Sequence, residues 1–304
     1  MHIITSGSRY IDIDAYAGTV AYAELLQYQG QPAYALSTAT WNESISKSVR
    51  SWQAPLKTEY APSGSDTFTL IDVSDPKYFD EAVNLARVDE VIDHHPGFEQ
   101  YWQERLGDKA HIEFIGAACT LVYERWVAAG LANKMSKTSA KLLVSGILDN
   151  TLNFKARVTT DRDKVAFDSL MTHAGIADEW TAQYFTECQE AILDDARASI
   201  RNDAKILTFQ SFPRSLGVGQ LVVWNAAEVL SLHQATIERE MLALSAEWFM
   251  NLVSVNEGSS YFICKDPDVQ FWIANLLNVK FEDSVARADR LWLRKEIIKQ
   301  DMTD

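Results

Sequence analysis

Short apolar runs alternate with helical patterns along the first half of the chain. Apolar runs predict strands at 3–5, 32–37, 68–72, 88–93 and 111–116. Spacing of apolar residues at three and four positions predicts helices at 15–29, 76–86, 97–106, 117–130, 136–150, 160–175 and 178–202. Strands that alternate with helices indicate a parallel α/β sheet with helices packed on it.

A second α/β pattern begins near residue 203. Its predicted strands lie at 204–209, 220–225, 251–255 and 261–265, and its predicted helices at 232–247 and 266–277. The polar stretch ECQEAILDDARASIRN, at 187–202, marks the change from one pattern to the next. We therefore expect one domain at 1–190 and a smaller α/β domain at 198–304.

The charge of the chain restricts its partners. The 304 residues include 28 Lys and Arg against 42 Asp and Glu, which gives a net charge of −14 at pH 7. An acidic surface disfavours duplex nucleic acid and attachment to anionic membranes, because both need positive charge to meet phosphate.

The first ten residues lack the pattern of a signal peptide, and the three cysteines lie far apart. We expect a cytoplasmic protein.

Acidic residues follow the ends of several predicted elements. Asp12 and Asp14 follow the first strand, and Asp72 ends the third. The triplet at 93–95, Asp-His-His, ends the fourth strand, and Asp149 ends an apolar helical run. Ligands of open parallel sheets bind at the carboxyl ends of the strands, where these residues are expected to meet.

Each of these residues has an ordinary structural explanation when it is taken alone. An Asp before a helix commonly caps it, which would suffice for Asp14, and Asp72 could be a turn residue. Several carboxylates at one edge would repel each other unless cations lay among them. Hard divalent cations prefer oxygen ligands, and Mn²⁺ also accepts imidazole. The combination predicts a two-metal centre that activates water for in-line attack on phosphorus.

At these residues the sequence resembles the DHH phosphoesterase superfamily. The similar branch contains manganese-dependent (family II) inorganic pyrophosphatases, exopolyphosphatases and prune-type proteins. Residues 7–15, GSRYIDIDA, match the first motif, G-H/N-x-x-x-D-x-D-[AS], and the triplet at 93–95 matches the motif that gives the superfamily its name. The aspartate of the second motif falls on Asp72, and further motifs match at 116–120 and 149–155.

The resemblance implies a set of functional residues. It implies two divalent metal ions, Mn²⁺ or Mg²⁺ with Co²⁺ as an alternative, held by Asp12, Asp14, Asp72, His94 and Asp149. Asp93 would orient the imidazoles, and His95 would contact the substrate or leaving group. Phosphate would be bound by basic residues of the C-terminal domain, namely Lys205, Arg294 and Lys295. The resemblance thus implies an N-terminal parallel-sheet DHH domain, a smaller C-terminal α/β domain and an active site in the interdomain cleft.

The implied activity is hydrolysis of phosphoanhydride bonds in pyrophosphate or polyphosphate. The expected partner is a small or linear polyphosphate, with no duplex nucleic acid and no membrane, and a homodimer is an open alternative for the assembly. Two departures from the motifs keep other functions open. Ser8 stands where the family has His or Asn, and Val73-Ser74 stand where it has His-Asn. The alternatives are a weakly active or inactive binding or regulatory protein, and a phosphodiesterase that acts on short nucleotides.

Overall fold

The chain forms two compact units in the computed structural model, which describes residues 1–8 and 10–302. The units are Met1–Tyr184 and Phe185–Asp304. The first contains a parallel sheet with helices, and the second contains a sheet of mixed direction with helices. The fold is therefore the α/β class that the alternating pattern predicts. In the described part of the chain, every helix is too short or too polar to cross a membrane.

The first unit is built from eight strands and the helices between them. Its described strands are β1 (His2–Thr5), β2 (Tyr10–Ile11), β3 (Ala33–Leu36), β4 (Thr40–Trp41), β5 (Leu56–Lys57), β6 (Thr67–Ile71), β7 (Val88–Asp93) and β8 (Ala110–Ile112). Its helices are α1 (Ile13–Tyr28), α2 (Lys47–Ser51), α3 (Glu99–Leu106), α4 (Ala118–Ala128), α5 (Lys137–Asn150) and α6 (Asp161–Ala174). Helix α7 (Trp180–Asp194) follows and runs past the boundary between the units in sequence.

The main sheet of the first unit is parallel throughout. Its strand order is β5-β3-β1-β6-β7-β8, and β1 pairs with both β3 and β6. The chain first adds strands on one side of β1 and later returns to add β6, β7 and β8 on the other side. This reversal makes a switch point between β1 and β6, where a crevice opens at the carboxyl ends of the strands.

Helix α1 lies against α5 at unusually close range. Gly146 of α5 makes this possible, because a Cβ atom there would lie 2.5 Å from Sγ of Cys119 and 3.3 Å from Cα of Asp14. Most of α1 is buried, including Ile13 and Ala17. The packing therefore brings the first turn of α1 next to the last turns of α5.

The predicted helix at 76–86 is wrong. Only two short 3-10 turns form there, at Pro76–Tyr78 and Leu85–Arg87. The buried carboxylate of Asp80 accepts hydrogen bonds from the backbone N–H of Ala82, at 2.9 Å, and of Thr38, at 2.8 Å. A side chain that bonds the nearby backbone competes with helix formation, and the bond to Thr38 fixes the segment against the loop after β3.

The second unit has a six-stranded sheet. Its strands are β9 (Lys205–Leu207), β10 (Leu216–Val223), β11 (Trp248–Ser254), β12 (Ser259–Ile263), β13 (Phe281–Glu282) and β14 (Val285–Ala288). Its helices are α8 (Ala196–Asp203), α9 (Ala226–Leu244), α10 (Pro267–Leu277) and α11 (Arg294–Asp301). In the order β13-β14-β12-β11-β10-β9, only β10 and β11 pair in parallel. The pattern of apolar residues did not predict β13 and β14, which are short.

Candidate metal centre

The two aspartates of the first motif lie at the start of α1. Asp12 is the N-cap residue, and its Oδ1 accepts the N–H of Ala15 at 3.0 Å. Asp14 lies in the first turn of the helix and is fully buried. Arg9, which belongs to the same matched segment, lies outside the described residues. The helix therefore begins two residues earlier than the sequence predicts, and Asp12 rather than Asp14 caps it.

The carboxylate of Asp14 is held by the start of a second helix. Its two oxygens accept the backbone N–H groups of Ala118 and Cys119, each at 2.8 Å, in the first turn of α4. The N-terminus of a helix favours a negative charge, because its N–H groups have no partner within the helix. The Gly-x-x-x-Thr segment at 116–120 thus fixes the position of Asp14.

Asp72 directly follows β6 and has a left-handed backbone conformation, with φ of 60°. Its N–H donates to the carbonyl of Ile92 at 2.9 Å, which ties it to β7. Its Oδ1 lies 3.2 Å from Nε2 of His94 and 3.6 Å from Nδ1 of His95. This buried oxygen has no well-aligned hydrogen bond among the described residues, so it is available as a ligand.

The two histidines are oriented by different partners. Nδ1 of His94 lies 3.0 Å from the carbonyl oxygen of Ile115, and a carbonyl can only accept. Nδ1 therefore carries the proton, and Nε2 of the neutral ring has the lone pair that a metal requires. Nδ1 of His95 lies 2.9 Å from Oδ1 of Asp93, which leaves its Nε2 for another partner. The side chain of His95 is 59% exposed, whereas that of His94 is 10% exposed.

Asp93 holds the turn that carries both histidines. It is fully buried, and its Oδ1 also accepts the backbone N–H groups of His94, at 2.7 Å, and His95, at 3.2 Å. Burial acts to raise the pKa of Asp93, but the bond and charge of the His95 ring outweigh it and lower that pKa. The carboxylate is therefore ionised and organises the turn after β7.

Asp149 comes from the last turn of α5. The hydroxyl of Tyr184 lies 3.0 Å from Oδ1 of Asp149 and 2.9 Å from the carbonyl oxygen of Ser44, so its single proton is shared between these two acceptors. The pKa of Asp149 is raised to about 6, chiefly by burial; the bond from Tyr184 lowers it and the charge of Asp14 adds a smaller increase. The negative charges of Asp14 and Asp149 therefore repel each other.

Four carboxylates, those of Asp12, Asp14, Asp72 and Asp149, have raised pKa values and so lose their protons less readily than a free aspartate does. Burial, followed by the charges of the neighbouring carboxylates, raises the pKa of Asp12 to about 6, and burial with the charge of Asp72 raises that of Asp14 to about 6. Burial and the charge of Asp12 likewise raise the pKa of Asp72. Burial lowers the pKa of His94, but Asp72 and Asp14 outweigh this effect and raise it to about 10. The metal-free cluster thus compensates its negative charge with a protonated imidazole.

The donor atoms suit a divalent cation. One ligand atom each from Asp72, His94 and His95 lie within 4.8 Å of one another. Carboxylate oxygens with one or two imidazoles are ligands that Mn²⁺ accepts, and Mg²⁺ takes the oxygens. A cation would also replace the protonated His94 as the counter-charge of the cluster. The residues present therefore fit a metal ion, and Asp12, Asp14 and Asp149 add three further carboxylates around the same crevice.

Ser8 has little capacity to replace the imidazole of the first motif. It is half-buried, and its backbone N–H donates to the carbonyl of Tyr78 at 2.8 Å. A neutral hydroxyl is a weaker ligand than an imidazole for Mn²⁺. Ser8 is therefore a weaker candidate ligand than the imidazole that the motif has at this position.

The three basic residues that the resemblance assigns to phosphate lie in the second unit. Lys205 opens β9, Lys295 lies in the first turn of α11, and both are exposed. Arg294 donates from its two terminal nitrogens to both carboxylate oxygens of Asp203, at 2.7 and 3.0 Å. The guanidinium of Arg294 is thus already bound within its own unit.

Two supporting residues were missed by the sequence analysis. Asp163 is fully buried, and its carboxylate accepts the N–H of Gly116 at 3.1 Å and the hydroxyl of Thr120 at 2.6 Å. It also completes a capping box with Thr160 at the start of α6, and this T-x-x-D pattern was the available signal. Tyr184 had no comparable signal, because its contact with Asp149 joins distant parts of the chain.

Comparison with known proteins agrees with this geometry. Residues 2–147 match the DHH family, N-terminal domain. A protein of Deinococcus radiodurans named probable manganese-dependent inorganic pyrophosphatase is 29% identical over 237 residues, which are 73% of this chain and 71% of that protein. A protein of Bacillus cereus with the same name is 24% identical over 316 residues, covering 99% of this chain and 98% of the relative.

Solved structures share the fold at low identity. A structure from Methanococcus jannaschii, described as a candidate family II inorganic pyrophosphatase, has a TM-score of 0.67 and 20% identity, and the match covers 99% of this chain and 100% of that one. An exopolyphosphatase-related protein from Bacteroides fragilis has a TM-score of 0.52 and 13% identity over 99% of this chain and 90% of the other. Residues 2–147 are therefore similar to the N-terminal domain of the DHH family, both in the matched sequence and in the geometry of its motifs.

Proposed function

We propose that this protein is a metal-dependent phosphohydrolase that cleaves phosphoanhydride bonds in pyrophosphate or polyphosphate. The observation that carries the proposal is that Nε2 of His94 lies 3.2 Å from Asp72 and 3.8 Å from Asp14 at the carboxyl ends of the parallel strands. The charges of Asp12 and Asp149 act on the same group of carboxylates. The relatives named manganese-dependent inorganic pyrophosphatases support the same substrate class.

The proposed ligands of two divalent ions, Mn²⁺, Mg²⁺ or Co²⁺, are Asp12, Asp14, Asp72, His94 and Asp149. When bound, such ions lower the pKa of water and neutralise phosphate oxygens. Asp72 would help to hold the ions, because its carboxylate lies beside both imidazoles and within the field of Asp12. The bonds from α4 to Asp14, and from Ile115 to His94, hold these ligands in position before any ion arrives.

The Asp93 and His95 pair is proposed to act on the substrate. Asp93 holds Nδ1 of His95, so Nε2 of the exposed ring can hold or transfer a proton at a phosphate or leaving-group oxygen. Asp93 and the charge of Asp72 raise the pKa of His95 against the lowering effect of burial. The raised pKa favours the protonated form of the ring, which can donate to a phosphate or leaving-group oxygen.

Lys205, Arg294 and Lys295 are proposed to bind phosphate oxygens that do not react. Arg294 would have to share its guanidinium with Asp203 to do so. The two lysines are exposed and need no such rearrangement. We therefore assign the larger part of this role to Lys205 and Lys295.

The test is a panel of phosphate-release assays with pyrophosphate, tripolyphosphate and long polyphosphate, each with Mg²⁺, Mn²⁺ and Co²⁺. A bis-nitrophenyl phosphate diester belongs in the panel, because faster turnover of that diester than of tripolyphosphate would favour a phosphodiesterase. The Asp72→Asn variant should lose activity at least about 100-fold, since Asn tolerates the left-handed conformation but does not supply a charged ligand. The matched control is Asp75→Asn, which keeps a capping side chain three residues away.

Ser8 gives a specific reason to test a weakly active or regulatory protein as the second candidate. Titration calorimetry with Mn²⁺ should resolve a tighter and a weaker site, because Ser8 is a weaker ligand than the imidazole that the motif has at this position. If neither Mn²⁺ nor Mg²⁺ binds at millimolar concentration and no substrate turns over, the protein is a binding protein and the proposed hydrolase is wrong.

A further inference from the structure

Three exposed arginines of the second unit share one buried carboxylate. Arg197 and Arg201 lie one turn apart on α8, and Arg239 lies on α9 beside Glu240. The side chain of Glu240 is 2% exposed, whereas those of the three arginines are 56–62% exposed. We call Arg197, Arg201, Arg239 and Glu240 the arginine cluster.

All three guanidinium groups approach Glu240 in the same way. Nε of Arg201 lies 2.6 Å from Oε2 of Glu240, and the Nε atoms of Arg239 and Arg197 lie 3.0 and 3.2 Å from Oε1. The carboxylate of Glu240 thus contacts the Nε atom of each guanidinium. Within residues 1–8 and 10–302, no hydrogen bond is made by a terminal nitrogen of these three side chains.

The arginine cluster has more positive charge than its internal pairing needs. Three arginines and one glutamate leave a local charge of +2 on a chain whose net charge is −14. The charge of +2 is that of the four residues of the arginine cluster alone. Of the carboxylates close to them in sequence, Glu238 pairs with Lys265 and Asp195 accepts an N–H group as the cap of α8. One arginine would neutralise Glu240, and like charges one helical turn apart repel each other. Joining α8 to α9 therefore does not account for all three arginines.

We propose that the arginine cluster is a binding site for a phosphate dianion, either orthophosphate or the phosphate of a small phosphomonoester. Terminal guanidinium nitrogens match the spacing of phosphate oxygens and bind them in pairs. A dianion would also cancel the charge of +2. The site lies in the second unit and uses none of the proposed metal ligands, so it does not depend on the proposed function.

Titration calorimetry of the whole chain with inorganic phosphate tests this site. The titration is made in EDTA, so that metal-dependent phosphate binding does not contribute, and is repeated with glycerol phosphate to separate the two sources of the dianion. Arg201→Gln and Arg239→Gln should each weaken binding about fivefold, because each removes one charged partner at an exposed site. Arg287→Gln is the matched control, since Arg287 is similarly exposed and pairs with Asp289. Binding that is equal in wild type, Arg201→Gln and Arg239→Gln would overturn the proposal.

Glu240→Gln gives a second and opposite test. This substitution keeps the shape of the side chain and raises the local charge from +2 to +3, so phosphate should bind several-fold more tightly. A network that only joins α8 to α9 would lose stability in this variant without any gain in affinity. Melting temperatures show that each variant is folded under the conditions of the titration. Unchanged or weaker phosphate binding by folded Glu240→Gln contradicts the site.

Discussion

Asp72 combines a left-handed backbone conformation with a position beside both histidines of the candidate site. A residue with a Cβ atom loses about 1 kcal/mol in this conformation, and Asp and Asn tolerate it better than most. The N–H of Asp72 bonds to Ile92 on the neighbouring strand, which keeps the turn in place. The turn directs the carboxylate back toward the histidines that follow β7 instead of along the direction of β6.

The charge of Asp12 lowers the stability of the folded protein. Its pKa is raised to about 6 in the folded protein, chiefly by burial and then by Asp14 and Asp149. A folded pKa above the unfolded value of 3.8 means that ionisation destabilises the fold, with no cost below pH 3.8 and the full cost above about pH 6. Two pKa units correspond to about 3 kcal/mol at most, and screening at this half-buried side chain reduces the cost to about 1 kcal/mol.

We predict that Asp12→Asn stabilises the metal-free protein by about 1 kcal/mol at pH 8 and has no such effect at pH 4. Asn caps a helix as well as Asp, so the bond to Ala15 is kept. Urea unfolding in EDTA at both pH values measures the difference. Asp266→Asn, at the cap of α10 in the second unit, is the control. A stability gain of the same size at pH 4 would show that the charge of Asp12 is not its cause.

At the level of elements, the buried carboxylates of Asp14 and Asp163 connect helices α1, α4 and α6. Asp14 of α1 accepts N–H groups from the start of α4, and Asp163 of α6 holds the segment just before α4. Gly116 permits this approach, because a Cβ atom there would lie 2.6 Å from Oδ2 of Asp163. The position of a candidate metal ligand thus depends on α6, which supplies no ligand.

We predict that Asp163→Asn destabilises the protein by about 2 kcal/mol and weakens Mn²⁺ binding by about 10–100-fold. The amide has one acceptor oxygen where the carboxylate now accepts bonds from Gly116, Thr120 and Thr160. Asp161→Asn is the control, since Asp161 is on the same turn and fully exposed to solvent. Calorimetry on the folded variant separates the two effects. Normal Mn²⁺ affinity in a destabilised Asp163→Asn protein would limit Asp163 to a structural role.

Elements with strong local signals were predictable from the sequence. The strand at 88–93 has the predicted bounds, and Asp72 and the histidines lie at strand ends as expected. The bonds from Asp80 to Thr38 and from Asp163 to Gly116 were not predictable, because these partners lie far away in the chain. For the same reason, the sequence predicts the ligand types of the site but not which nitrogen of His94 faces Asp72.

For the molecule as a whole, part of the net charge of −14 is concentrated in one cluster. Four carboxylates there have raised pKa values, so the metal-free protein holds unfavourable charge in its first unit. Cations that bind the folded state alone stabilise it in proportion to the logarithm of their concentration.

We predict that Mn²⁺ raises the melting temperature by several degrees, since a concentration about 100 times the dissociation constant adds ~2.7 kcal/mol. NaCl of equal ionic strength should have a much smaller effect, because screening acts on all surface charges alike. Asp72→Asn should lose most of the Mn²⁺ effect and keep the response to NaCl. Equal shifts with Mn²⁺ and NaCl in the wild type would contradict a specific metal centre.

The residues of the candidate centre are spread from Asp12, before the first helix, to Asp149, at the end of α5. During synthesis, the ribosome must therefore release the chain well past residue 149 before all the ligands can meet. Parallel strands joined by long connections form contacts between distant residues, which makes such a domain slow to fold. The acidic cluster consequently assembles late, and a metal ion in the cell would act on the last stages of folding and not on its first.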